Sequence, residues 1–187
     1  HTLLVTRFNL IPQLNQLIDN EIALAEKGKE GRIILKMNSL QDPAMIDRLY
    51  EASERGVKID LIVRGICCLI PNQPYSKNIR ITRIVDSFLE HARIWYFGNN
   101  GNPKLFLGSP DWMRRNLYRR IEAVTPVLDS DLKKDLTQFL QIQLSDNQKA
   151  CWVDNQLHNI FKKKTSKEKA VRAQYYFYEW LKNRVFR

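Results

Sequence analysis

His91 and Arg93 stand at the head of an apolar, β-prone run, Ile94-Trp95-Tyr96-Phe97. Alternation places the two side chains on one face of a strand. An imidazole beside a guanidinium suits phosphate chemistry: the ring exchanges a proton or attacks phosphorus near neutral pH, while the guanidinium stays charged and forks onto two oxygens. A turn-rich gap, Gly98 to Pro103, separates this run from a second, Lys104 to Leu107, which ends in Gly108-Ser109-Pro110-Asp111-Trp112. A return of that kind brings Ser109 back toward the head of the first strand. A plain hairpin with an exposed histidine has the same spacing.

Further phosphate-binding candidates sit where strands end. Arg32 to Lys36 and Val57 to Val63 read as strands, with a helix between them opened by Asp42 as N-cap and Pro43 at the first position, and closed by Gly56. Its buried stripe is Ile46, Leu49, Tyr50 and Ser53. Strand, helix, strand with short joints predicts a right-handed parallel crossover and an α/β sheet. Ligands of open parallel sheets bind beyond the carboxyl ends of the strands. Lys36 and Asn38 follow the first strand and Arg64 the second, so three phosphate-binding side chains converge on one rim. Gly65 next to Arg64 gives a bulky ligand room against the backbone. Four arginines, Arg114, Arg115, Arg119 and Arg120, follow the Gly108-Ser109 turn, a placement that suits an anion site; a solvated loop has the same composition.

The remaining elements frame this rim. Leu10, Leu14, Leu17, Ile18, Ile22 and Ala25 follow helical spacing, with Gly28 as the stop. Ile79 to Arg83 alternates as a strand with its polar face out, and Ile121 to Leu128 reads as another strand. Asp129 or Ser130 then caps a helix with Leu132, Leu136, Phe139, Leu140 and Leu144 on one face. After the charge run Lys162-Lys163-Lys164, a last helix repeats Val171, Tyr175, Tyr178, Leu181 and Val185.

The net charge of +10 is uneven: residues 161–187 carry nine basic and two acidic side chains, seven of the ten charges. Basicity is thus mostly a property of the tail, and it does not make the globular part a nucleic-acid binder. Three cysteines, Cys67, Cys68 and Cys151, give neither a disulfide framework nor a zinc spacing. No apolar run approaches the roughly 20 residues of a membrane span, and no signal peptide is visible.

Several segments together carry a resemblance: Lys36 to Leu40, Asp60 to Leu69, Asn78 to Arg80, Ile84-Val85 with Phe88 to Arg93, and Gly108-Ser109 with Asp111 to Met113 and Arg115-Asn116. In that order they resemble the C-terminal domain of long-chain polyphosphate kinase, over roughly Leu3 to Asn147. The resemblance implies an α/β fold: a phospholipase D-like α/β/α sandwich, one half of a two-domain catalytic unit. It divides the chain into a catalytic domain at 1–148 and a basic helical tail at 149–187.

It also implies reversible transfer of the γ-phosphoryl of ATP to polyphosphate through a phosphohistidine in the preceding domain. His91 corresponds to the second, catalytic histidine, and Arg64 to a nucleotide-phosphate ligand. Arg93, Lys36, Asn38 and Ser109 complete the expected ATP- and phosphate-binding set. Magnesium and adenine contacts fall outside this chain, which by itself is expected to bind polyanions without completing the transfer. Expected partners are ATP, ADP, polyphosphate, upstream domains and further copies at full length. Nucleic acid is not expected, and the location is cytoplasmic, at most peripheral to the inner membrane.

Departures from the phospholipase D pattern are specific. Arg93 replaces the lysine of His-x-Lys, Gly98 fills the acidic slot, and Asp111 stands where Gly-Ser-x-Asn has asparagine. They argue against phosphodiester hydrolysis, one of two rival functions; the other is a polyanion-binding module without catalysis.

Overall fold

A computed structural model describes residues 3–185. A short strand, β1 (Leu4–Val5), precedes α1 (Leu10–Glu26), whose buried Leu10, Leu14, Leu17, Ile18 and Ile22 keep the helical repeat. Gly28, at φ +71°, takes the left-handed conformation that ends the helix. β2 (Arg32–Met37), α2 (Pro43–Glu54) and β3 (Lys58–Val63) form the expected crossover, with β2 and β3 parallel from Arg32 opposite Lys58 to Met37 opposite Val63. Asp42 caps α2 by accepting the Met45 N–H at 3.1 Å.

Next come β4 (Ile79–Ile84), β5 (Ile94–Phe97), β6 (Lys104–Gly108) and β7 (Ala123–Val127). The chain continues through α3 (Ser130–Ser145), β8 (Ala150–Val153), β9 (Asn159–Phe161) and α4 (Ala173–Val185).

The strands form one mixed sheet in the order β1-β7-β6-β5-β2-β3-β4-β8-β9. Its two faces are covered separately, giving an α/β/α sandwich. Ile33, Leu35, Met37, Leu61, Trp95 and Phe97 meet α1 and α2, while the alternate residues Ile34, Ile62, Ile94 and Leu105 meet Leu140 of α3. Every residue of β2 after Arg32 is buried, as its continuous apolar run requires. Among the described residues no helix is long and apolar enough to cross a membrane.

Four expectations are corrected. First, β5 begins at Ile94, so His91 and Arg93 precede the strand; the Gly108 N–H still reaches the Arg93 carbonyl at 3.3 Å, and pairing stops there as the chain turns away. Second, β4 keeps its polar face out only at Arg80: Thr82, on the same face, is fully buried opposite Trp152 of β8. Third, α3 buries only its second half, around Leu140 and Ile142, and leaves Leu132 in its first turn exposed. Fourth, α4 packs through Ala173, Phe177 and Trp180, whereas Tyr175, Tyr178 and Leu181 face solvent. The side chain of Val185 lies outside the described residues.

The sheet also runs across the boundary expected after residue 148. Ala150 pairs with Ile84, and β9 extends the sheet by one more strand. The segment expected as a helical tail therefore opens with two strands before its helix.

Candidate functional site

Strand direction explains why distant residues meet. β2 and β3 run parallel, β5 runs against β2, and β6 against β5. The carboxyl ends of β2, β3 and β6 and the amino end of β5 therefore share one rim, which receives Asn38, Arg64, Asp111 and the His91–Arg93 segment. Below it the backbone is tied together. Leu40 N–H donates to Ile66 O, Cys68 N–H to Leu40 O, and Gln41 and Asp42 N–H to Trp112 O, all at 2.8–2.9 Å. Trp112 is fully buried edge-on to Trp95, with ring centres 5.8 Å apart.

Asp111 is the hub. Its Oδ1 accepts the backbone N–H groups of Asn38 at 2.8 Å and Ser39 at 3.2 Å. Arg93 forks onto it, Nε to Oδ1 and NH2 to Oδ2, both at 3.2 Å. Burial alone would raise the Asp111 pKa; Arg93 and the two amides outweigh it and hold the carboxyl below the usual range. Asn38 passes the link on, its Oδ1 accepting from Arg64 Nε at 2.6 Å.

Arg93 also faces the imidazole, with NH1 3.1 Å from His91 Nδ1 and 3.2 Å from the His91 carbonyl. NH2 of the same guanidinium lies 3.5 Å from Nε2, so Arg93 runs alongside both ring nitrogens. The His91 ring is exposed at this rim.

Arg64, Asn38, Arg93 and His91 are thus joined in one hydrogen-bonded chain through Asp111. Lys36 is not part of it. Its side chain is buried, and Nζ is bound to Glu90 Oε2 at 2.6 Å and Gln143 Oε1 at 3.3 Å. Position 36 is still inside β2, which ends at Met37, and its side chain lies on the α3 face, beside Ile34 and Ile62, rather than beyond the strand end. Burial lowers the Lys36 pKa against the pull of Glu90. Ser109 is likewise engaged elsewhere, its hydroxyl donating to Glu122 and accepting from Ala123 N–H at 3.2 Å.

Of the later arginines, Arg114 and Arg119 line an open cleft with Tyr118 at the start of α2. Asp111 was visible in the sequence only as a departure from asparagine. The signal that could have marked it is its place in the Gly-Ser-x-Asp turn.

Gly65 has a different purpose from the one expected. A Cβ there would lie 2.8 Å from the Asn38 carbonyl oxygen, so the glycine makes room for Asn38 rather than for a ligand. Its N–H donates to that oxygen at 2.9 Å. Gly65→Ala is expected to lower the unfolding free energy by about 1–3 kcal/mol, as overpacking does. An unchanged urea midpoint would show that the approach is not tight.

A family profile described as polyphosphate kinase C-terminal domain 2 matches residues 3–174. The chain belongs to the polyphosphate kinase family. It is 53% identical to polyphosphate kinase 1 of Chlorobaculum tepidum over 79% of this chain and 21% of that protein. It is 47% identical to the polyphosphate kinase of Yersinia pestis over 90% of this chain and 25% of that one. The chain therefore spans about a quarter of the length of the curated relatives it matches.

The solved polyphosphate kinase of Porphyromonas gingivalis superposes with a TM-score of 0.97 at 53% identity, covering 98% of this chain and 28% of that one. Nuc from Salmonella typhimurium, a phospholipase D family member, matches at TM-score 0.53 and 13% identity, over 86% of this chain and 98% of its own. At that identity it shares the fold alone, which is phospholipase D-like.

The rim does not suit magnesium. Asp111 is held by Arg93, Glu90 by Lys36 and Asp86 by Arg172. Among the described residues no group of three or more His, Cys, Asp or Glu side chains could hold a metal ion.

Proposed function

We propose that this chain is the part of a polyphosphate kinase that surrounds the phosphoryl group in flight between ATP and polyphosphate. The observation that carries this reading is the contact of Arg93 with both Asp111 and His91. It fixes a guanidinium and an imidazole side by side at the rim where the strand ends converge. A transferring phosphoryl spreads negative charge over its equatorial oxygens, and catalysis is mostly positioning and electrostatics. A rim of arginine and imidazole, with its carboxylates already neutralised, meets that demand.

In this reading the phosphoryl leaves ATP for a histidine in the preceding part of the protein and then passes to the polyphosphate end. The P–O bond to ADP breaks as the P–N bond forms, and in the second step the P–N bond breaks as a P–O bond to the terminal polyphosphate oxygen forms. His91 faces the group from the other side. An imidazole N–H held beside Arg93 is a hydrogen-bond donor to phosphoryl oxygens. Such a donor can stabilise the charge that develops on the phosphoryl or pass its proton to the leaving group.

Arg64 binds nucleotide phosphate. Its Nε is committed to Asn38, which leaves the terminal nitrogens of the guanidinium for oxygen. A lysine has no second nitrogen to do both. Arg64→Lys in the full-length protein is therefore expected to raise KM for ATP and lower kcat/KM by about tenfold or more. Wild-type kinetics in Arg64→Lys would place Arg64 outside the site. The departures at Arg93, Gly98 and Asp111 favour the kinase over a hydrolase.

A further inference from the structure

Residues 85–93, between β4 and β5, carry His91 yet contain no helix or strand. Their apolar side chains do not hold them down either: Val85, Phe88 and Leu89 are 69%, 61% and 78% exposed. Backbone groups without a ladder must find other partners, and here those partners come from the far end of the chain.

Gln174 acts as a substitute strand residue. Its Oε1 accepts the Phe88 N–H at 2.8 Å, and its Nε2 donates to the Phe88 carbonyl, also at 2.8 Å. The same Nε2 donates to Glu90 Oε1 at 3.0 Å, next to His91. Arg172 forks onto Asp86, Nε to Oδ2 at 2.8 Å and NH2 to Oδ1 at 2.6 Å, and also donates to Ser87 Oγ at 2.8 Å. The Arg172 guanidinium holds the Asp86 carboxyl below its ordinary pKa.

Both residues sit at the start of α4, which is itself anchored. Ala173 N–H donates to Asp146 Oδ2 at 2.7 Å, and Phe177 meets Phe139 of α3 with ring centres 4.6 Å apart. Lys36 of β2 and Gln143 of α3 also secure Glu90, at 2.6 and 3.1 Å. The loop before His91 is therefore gripped by side chains of β2, α3 and α4.

We infer that Arg172 and Gln174 are positioning residues for His91, so that the C-terminal segment belongs to the catalytic apparatus without touching substrate. The inference rests on the reading of His91 given above. A displacement near 1 Å at a reacting group can cost about 10²-fold in rate. Loss of either tether leaves Glu90, Lys36 and the rim in place but lets the loop spread over several conformations.

The experiment compares Gln174→Ala, Arg172→Ala and Trp180→Ala in the full-length protein, with amide exchange at residues 86–92 measured in this chain. Trp180 stacks on Phe177 and serves as a packing control. Gln174→Ala and Arg172→Ala are expected to lower kcat by about 10- to 100-fold with KM for ATP within about threefold, and to speed exchange at Phe88. Trp180→Ala is expected to lower Tm while keeping kcat. Exchanging the charges, Asp86→Arg with Arg172→Asp, is expected to recover more activity than either single variant keeps.

Unchanged kcat and unchanged exchange in Gln174→Ala would overturn the inference. So would a loss of kcat no greater, at equal loss of Tm, than that of Trp180→Ala. If His91→Ala kept full turnover, the reading of His91 would fall, while exchange at Phe88 would still report whether the grip exists.

Discussion

Replacing His91 by alanine in the full-length protein is expected to reduce phosphoryl transfer by about 10²–10⁴-fold with the fold intact. The fold is safe because the ring is exposed. The chemistry is not safe, because the imidazole that Arg93 holds at 3.1 Å disappears. His91→Gln separates two roles. A carboxamide donates a hydrogen bond but carries no titratable proton, so charge stabilisation predicts partial recovery and proton delivery predicts none. The measurement is ATP-dependent polyphosphate synthesis under saturating substrate. A well-folded His91→Ala protein with wild-type turnover would leave the polyanion-binding alternative in its place. That alternative predicts instead a steep loss of polyphosphate affinity with salt and no single indispensable residue.

The second large effect is expected at Asp111. Asp111→Ala leaves the Arg93 guanidinium, whose side chain is 12% exposed, without its counter-charge. It also leaves the Asn38 and Ser39 N–H groups without their acceptor. Breaking a buried pair on one side costs about 3–5 kcal/mol, since the remaining charge stays uncompensated. Asp111→Asn keeps an acceptor oxygen for the two amides but not the charge, and is expected to lose less.

The pH dependence follows from the depressed carboxyl. A group whose folded pKa lies below its unfolded value, about 3.9 for aspartate, stabilises fully above that value and loses its contribution as pH falls through the folded pKa. The gap between wild type and Asp111→Asn in urea midpoint should therefore be full at pH 7 and shrink well below pH 4. A gap that is equal at both ends would mean that Arg93 draws no charge-dependent stability from Asp111. Activity should fall with Asp111→Ala as well, because Arg93 and Asn38 both lose their anchor.

Much of this protein was determined by local sequence. The repeat in α1, the start of α2 at Asp42-Pro43 and the continuous apolar run of β2 depend on residues within one or two turns of each other. Backbone geometry and solvent settle such features early. The parallel crossover followed from the strand–helix–strand pattern with short joints, and it placed Asn38 and Arg64 at one rim before any contact was known. The motif order sufficed for the family.

Tertiary structure decided the rest, because the partners lie far apart in the chain. Asp111 meets Asn38 across 73 positions, and Lys36 meets Glu90 across 54. Lys36 and Asn38 looked alike as strand-end polar groups; Lys36 is still inside β2 and lies beneath α3, whereas Asn38 follows the last strand residue, Met37, and reaches the rim. Gly65 spoke for close approach, but only the fold showed that the neighbour is the Asn38 carbonyl. The role of α4 was hidden most deeply. Its tyrosines have helical spacing, yet Ala173, Phe177 and Trp180 face the protein, since docking also had to bring Arg172 and Gln174 to the loop that carries His91. Periodicity reports that a helix has an apolar side. Which side is buried depends on where the rest of the chain has already placed its unpaired polar groups.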